Sequence, residues 1–146
     1  MTPRRAEPDV VSRRLRLMEE SLRDLQLLAD RTAADLAAAP LDRAAAERLV
    51  QVVVDLAVDV NSHLVVASGV RAPETGRESF LAAAAIGALT ADLAQRLAPS
   101  AGLRNLLVHR YGDVRLDLLA GGIAATLNAY PVYIQQISAY MLALDD

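Results

Sequence analysis

Cysteine and lysine are absent from the chain, and aromatic residues make up only 3% of it. Without cysteine there is no disulfide framework and no thiolate-bound metal, which fits a reducing cytoplasm. All fifteen basic residues are arginine, a bias that a GC-rich genome explains as readily as function does. The two histidines stand at unrelated positions with no acidic cluster beside them, so neither a dedicated metal site nor a cofactor is expected. There is no glycine-rich phosphate loop and no Ser/His/Asp arrangement. Every apolar stretch is interrupted by charge before about 18 residues, which predicts no membrane span. The opening Met1-Thr2-Pro3-Arg4-Arg5 turns acidic before any apolar run and does not read as a signal peptide.

What is present is leucine, valine and alanine. Hydrophobic residues reach 53% of 146 residues, enough for one domain with a real core. Alanine and leucine are strong helix formers, and the glycines and prolines fall mostly at segment edges. The expectation is an all-α, up-and-down helical bundle of four to five helices, with a disordered tail over 1–8 and a single domain over 9–146. The net charge of -3 argues against broad, charge-driven nucleic-acid binding but leaves room for a small local basic site.

Apolar residues recur at Val11, Leu15, Met18, Leu22, Leu25, Ala29 and Leu36, predicting a first helix that Pro40 ends. A second helix, Arg43 to Ser68, is capped by Asp42 and stopped by Gly69. It is apolar nearly all round, so it is either central or covered by another subunit. Thr75-Gly76-Arg77-Glu78 reads as a capping box before a short helix, Ser79 to Ile86, broken by Gly87. Thr90 caps the following segment, and Pro99-Ser100 interrupts it before a helix from Ala101 to about Tyr111. Asp113 then caps a last helix carrying Leu116, Leu119, Ile123, Leu127, Tyr130, Ile134, Ile137 and Met141. Pro131 should kink that helix, and Gly121-Gly122 favour close helix contact.

One stretch gathers polar groups against this background: Arg104-Asn105-Leu106-Leu107-Val108-His109-Arg110-Tyr111. At roughly 100° per residue, Arg104, Asn105, His109 and Tyr111 share one side of a helix, and Leu103, Leu106 and Leu107 the other. A guanidinium can fork onto phosphate oxygens, and an imidazole can exchange a proton near neutral pH. If a ribose 2′-hydroxyl attacks its own neighbouring phosphate, such a pair cleaves RNA without a metal and leaves DNA untouched. The plain structural alternative has Arg104 and His109 capping helix carbonyls or pairing with Asp113 or Asp117. Asp59, Asn61 and His63, at the end of the second helix, are candidates for a cleft edge; a hydrogen-bonded structural role for His63 is the alternative.

The spacing Arg104-Asn105…His109-Arg110-Tyr111 resembles the signature of the HEPN superfamily, and within it HepT-type toxins, the ribonuclease halves of HepT–MntA toxin–antitoxin pairs. The resemblance extends over about residues 10 to 143. It includes Asp59-Val60-Asn61-Ser62-His63, Gly69, Pro73-Glu74-Thr75, Glu78-Ser79-Phe80 and Tyr111-Gly112-Asp113-Val114. It implies a cytoplasmic, metal-independent endoribonuclease with Arg104 and His109 catalytic and Asn105 positioning the substrate. It also implies a homodimer whose cleft joins two motif faces, and an MntA-like nucleotidyltransferase antitoxin that transfers AMP to Tyr111. Some HEPN-like bundles are instead non-catalytic substrate-binding or regulatory subunits of small nucleotidyltransferases. Those lack the Arg/His motif, which this chain keeps.

Overall fold

The computed structural model describes residues 6–109 and 115–145, save the side chain of His109. Among these residues there are six helices and no strand: α1 Pro8–Gln26, α2 Ala33–Ala38, α3 Pro40–Ala67, α4 Gly76–Ala85, α5 Ala91–His109 and α6 Leu116–Leu144. Four long helices form the bundle, and α2 and α4 are short pieces between them. Of the tail expected over 1–8, the first five residues lie outside the described residues. Glu7 and Pro8 belong to the fold, since the Glu7 amide donates to His63 Nε2 at 2.9 Å and Pro8 opens α1.

The expected first helix is two helices. Val11, Leu15, Met18, Leu22 and Leu25 are buried as the spacing requires, and α1 then ends in a tight turn. That turn buries Leu28 in place of Ala29. A capping box starts α2: Thr32 Oγ1 accepts from the Asp35 amide at 3.1 Å, and the Asp35 carboxylate accepts from the Thr32 amide at 2.9 Å. Pro40 opens α3 at its first turn, where a missing N–H costs nothing. Asp42 does not cap α3; its Oδ2 accepts from Arg31 Nε at 3.3 Å.

α3 runs through the centre and touches the five other helices. By length and composition it is apolar enough to cross a membrane, contrary to the expectation from its charges, and 44% of its apolar stretch is buried within the bundle. Gly69, at φ 87°, terminates it, with the Val70 amide reaching back to the Val65 carbonyl. Thr75 caps α4 by accepting from the Glu78 amide, while the Glu78 side chain accepts from the Glu74 amide.

Pro99 does not interrupt α5. The ring removes one donor to the carbonyl of exposed Gln95, and the helix runs on to His109. α6 likewise continues across an exposed Pro131. Leu119, Ile123, Tyr130 and Ile137 of its expected stripe are fully buried, joined by Thr126, Ala129 and Tyr133. Asp113, expected to cap α6, lies outside the described residues.

Candidate functional site

The first half of α5 is anchored by Leu93, Ala94, Leu97, Ala98 and Ala101, all buried. This anchoring fixes the axis that carries the following turns, Arg104 to His109. Leu103 and Leu107 pack against the core. Leu106 does not dock there: it is 40% exposed and lines an apolar groove of about 610 Å³ between α5 and α6.

On the opposite flank, α3, α4 and α5 enclose a depression of about 390 Å³. Asp55, Val58 and Asp59 of α3, Gly76 of α4, and Ala101, Arg104 and Asn105 of α5 line it. Gly76 permits the closeness of the three helices, because a Cβ there would stand 3.1 Å from Ala101 Cβ and 3.3 Å from Val58 Cγ2.

Arg104 is held by α3. Its Nε donates to Asp55 Oδ1 at 2.5 Å and its Nη2 to Asp55 Oδ2 at 3.4 Å, a forked bond. Its Nη1 donates to Asn105 Oδ1 at 3.4 Å. The structure therefore brings together Arg104, Asn105 and Asp59, and adds Asp55, which the sequence reading missed. The signal for Asp55 was its spacing of one helical turn before Asp59, on the same side of an otherwise apolar helix. Of the partners foreseen for Arg104, Asp113 lies outside the described residues. Asp117 is taken by Arg115, with Nη2 to Oδ2 at 2.7 Å, and that hydrogen bond holds the Asp117 carboxyl below the usual range and lifts the Arg115 guanidinium.

Asp59 Oδ2 stands 4.0 Å from Arg14 Nε, so α1 contributes a second cation beside the depression. Asn61 is not at a cleft edge. It is fully buried, its amide spent on Ser79 Oγ and Tyr133 OH. His63 is half-buried at the base of α1, where its Nε2 accepts from the Glu7 amide, and it is not among the residues lining the depression. The backbone of His109 completes α5, while its side chain and all of Tyr111 lie outside the described residues. Among the described residues no group of three or more histidine, aspartate or glutamate side chains could hold a metal ion.

The comparisons with known proteins agree with this architecture. The model of the ribonuclease HepT-like family matches residues 18–137. A tRNA nuclease HepT from Aphanizomenon flos-aquae is 31% identical over 140 residues, covering 96% of this chain and 95% of that protein. An mRNA nuclease HepT from Shewanella oneidensis is 28% identical over 82 residues, 56% of this chain and 62% of its own length. Among solved structures, a tri-AMPylated HEPN toxin of Shewanella oneidensis in complex with an MNT antitoxin superposes with a TM-score of 0.80. The identity is 20%, over 91% of this chain and 99% of that one. The cytosolic protein of unknown function YutE from Bacillus subtilis has the same fold, with a TM-score of 0.78, 16% identity and coverage of 93% and 91%. The family match and the curated relatives, on an all-α fold, define a HEPN-class ribonuclease. The chain belongs to the ribonuclease HepT-like family.

Proposed function

We propose that the chain is the toxin of a toxin–antitoxin pair, a metal-independent, cytoplasmic endoribonuclease. Arg104 and His109 are its catalytic residues and Asn105 positions the substrate. The observation that carries this reading is the placement of Arg104, forked into α3 at the rim of a depression, on the same helix as His109 five residues further on. The similarity to proteins named tRNA nuclease and mRNA nuclease supports it.

In this reaction the substrate's 2′-hydroxyl attacks the adjacent phosphorus and the bond to the 5′-oxygen breaks, leaving a cyclic phosphate and a free 5′-hydroxyl. One imidazole takes the 2′ proton and another gives a proton to the leaving oxygen. The guanidinium of Arg104 stabilises the negative charge that builds on the phosphoryl oxygens. A single His109 does not serve as acid and base at once, so two motif faces meet across a homodimer.

Control is exerted on Tyr111. An MntA-like nucleotidyltransferase antitoxin transfers AMP to its hydroxyl, placing phosphate charge where the RNA phosphate binds. The tri-AMPylated state of the structurally similar toxin supports this reading.

The test is cleavage of bulk tRNA and of a messenger transcript by purified protein in the presence of a chelator. Arg104→Ala and His109→Ala should each lose at least about 100-fold in rate. Unchanged rates would refute the catalytic assignment. Co-expression with the neighbouring gene should add AMP mass to wild type and not to Tyr111→Phe.

A further inference from the structure

We propose that Asp55 is a positioning residue of the ribonuclease reaction, acting through Arg104. The inference rests on the reading of Arg104 as the phosphate-binding group.

The first argument is a count of donors. A guanidinium carries five N–H groups. Among the described residues, Asp55 takes one from Nε and one from Nη2, and Asn105 takes one from Nη1. Two remain, one on each Nη. The one on Nη2 lies at the end of the guanidinium, away from the fork held by Asp55, where a phosphate oxygen can meet it. The carboxylate of Asp55 thus consumes the side fork and leaves the end of the guanidinium for substrate.

The second argument concerns stability. Both partners are partly open to solvent, with side-chain exposures of 28% for Arg104 and 38% for Asp55. An ion pair at such a rim contributes little to folding, because water screens it and two side chains must be ordered to make it. The same two helices carry buried apolar residues, Val54 on α3 and Ala101 on α5, so the pair is not all that joins them. What the pair does achieve is restraint: a long, rotamer-rich arginine is locked to the rigid central helix.

The third argument is charge. Asp55 offsets the positive charge of Arg104 while the phosphate is still a monoanion. Its removal should strengthen resting attraction for RNA and at the same time release the guanidinium from its productive orientation. A purely structural residue does not split binding from turnover in this way.

Steady-state cleavage of bulk tRNA by the full chain tests this, with Asp55→Asn, Asp55→Glu, Arg104→Ala and the Asp55→Asn/Arg104→Ala double variant. We expect Asp55→Asn to lower kcat by roughly 10- to 100-fold with KM unchanged or reduced and with helix content and Tm preserved. Asp55→Glu should recover most of the loss, and Asp55→Asn should add nothing once Arg104 is gone. Wild-type kcat in Asp55→Asn beside an inactive Arg104→Ala would overturn the role of Asp55 and leave that of Arg104 standing. An equal loss with and without Arg104 would also overturn it. Wild-type activity in Arg104→Ala would remove the underlying reading and this inference with it. Should Asp55→Asn lose helix content, Asp55→Glu decides: with a folded Asp55→Glu protein, kcat within a few-fold of wild type supports the proposal, and a kcat as low as that of Arg104→Ala refutes it.

Discussion

Tyr133 on α6 donates its hydroxyl to Asn61 Oδ1 on α3 at 2.7 Å, and Asn61 Nδ2 donates to Ser79 Oγ on α4 at 3.1 Å. Ser79 Oγ donates in turn to the Gly76 carbonyl at 2.6 Å. A buried polar chain thus crosses three helices and ends at the residue that lines the depression beside Arg104. Each member is satisfied, which is what makes a polar group tolerable in a core of leucine, valine and alanine.

Breaking that chain should destabilise the fold by leaving a buried acceptor unmatched. Tyr133→Phe removes the donor to Asn61 and to the Ala57 carbonyl, and should cost about 1–3 kcal/mol. Asn61→Ala should cost at least as much, since it takes one partner from both Tyr133 and Ser79 and leaves a cavity in the core. Denaturant midpoints with unchanged slopes would check both. A midpoint equal to wild type for Tyr133→Phe would show that the chain is not a stabilising network.

Gly121 and Gly122 are neighbours in sequence with opposite surroundings. A Cβ at Gly121 would meet nothing within 4 Å, whereas one at Gly122 would collide with Leu103 Cδ2 of α5. Gly121→Ala should therefore stabilise α6 by about 0.5–1 kcal/mol through helix propensity alone. Gly122→Ala should fall short of it by about 1 kcal/mol or more. In a Leu103→Ala background the gap should close, which a double-mutant cycle on thermal unfolding measures.

Much of this architecture is legible from residue spacing. The α1 stripe, the all-round apolar α3, the Gly69 and Gly87 stops and the Thr75 and Thr90 caps follow from local chemistry that tertiary context does not overrule. The misreadings share a physical cause. Pro40 and Pro99 read as breaks, but a proline at a helix start costs nothing, and one whose lost partner carbonyl faces solvent costs little. The Thr32–Asp35 box is masked in the sequence by Ala29 and Leu36, which continue the apolar spacing of α1. In the site, Arg104 and Asn105 are readable from one helix. The pairing of Arg104 with Asp55 is not, because the two are 49 residues apart in sequence and meet only through the α3–α5 packing. Asn61 and Asp59 stand two residues apart on α3 and so face different ways, one into the core and one to the depression.

The capping box of α2 should be measurable separately. Thr32→Ala removes the side-chain acceptor for the Asp35 amide and should cost about 1 kcal/mol. Asp35 carries a pH signature of the same device. Its carboxyl is held below its usual value chiefly by the backbone N–H of Thr32. A lowered folded value means that this contribution is present above the unfolded pKa and is lost as pH falls through the folded one. Asp35→Asn should accordingly flatten part of the acid limb of the stability profile, while leaving neutral-to-alkaline behaviour parallel to wild type.

At the alkaline end, Tyr130 and Tyr133 should govern stability. Both rings are fully buried, and burial pushes each hydroxyl upward, against a smaller lowering of Tyr130 by its bond to Ser100 Oγ at 2.7 Å. Neutral phenols are thus favoured in the folded state. Their stabilisation is complete below the unfolded value of about 10 and declines as pH rises above it, because the unfolded chain then releases protons that the folded chain retains. The expected observation is that the phenolate absorbance of these two rings appears together with loss of helical circular dichroism, not before it. Tyr130→Phe should shift that unfolding to higher pH relative to its own stability at neutrality, since one ionisation that drives unfolding is gone. Full phenolate absorbance from the two buried rings while helicity is intact would show that water reaches them, and that α6 does not pack against α3 and α5 as described.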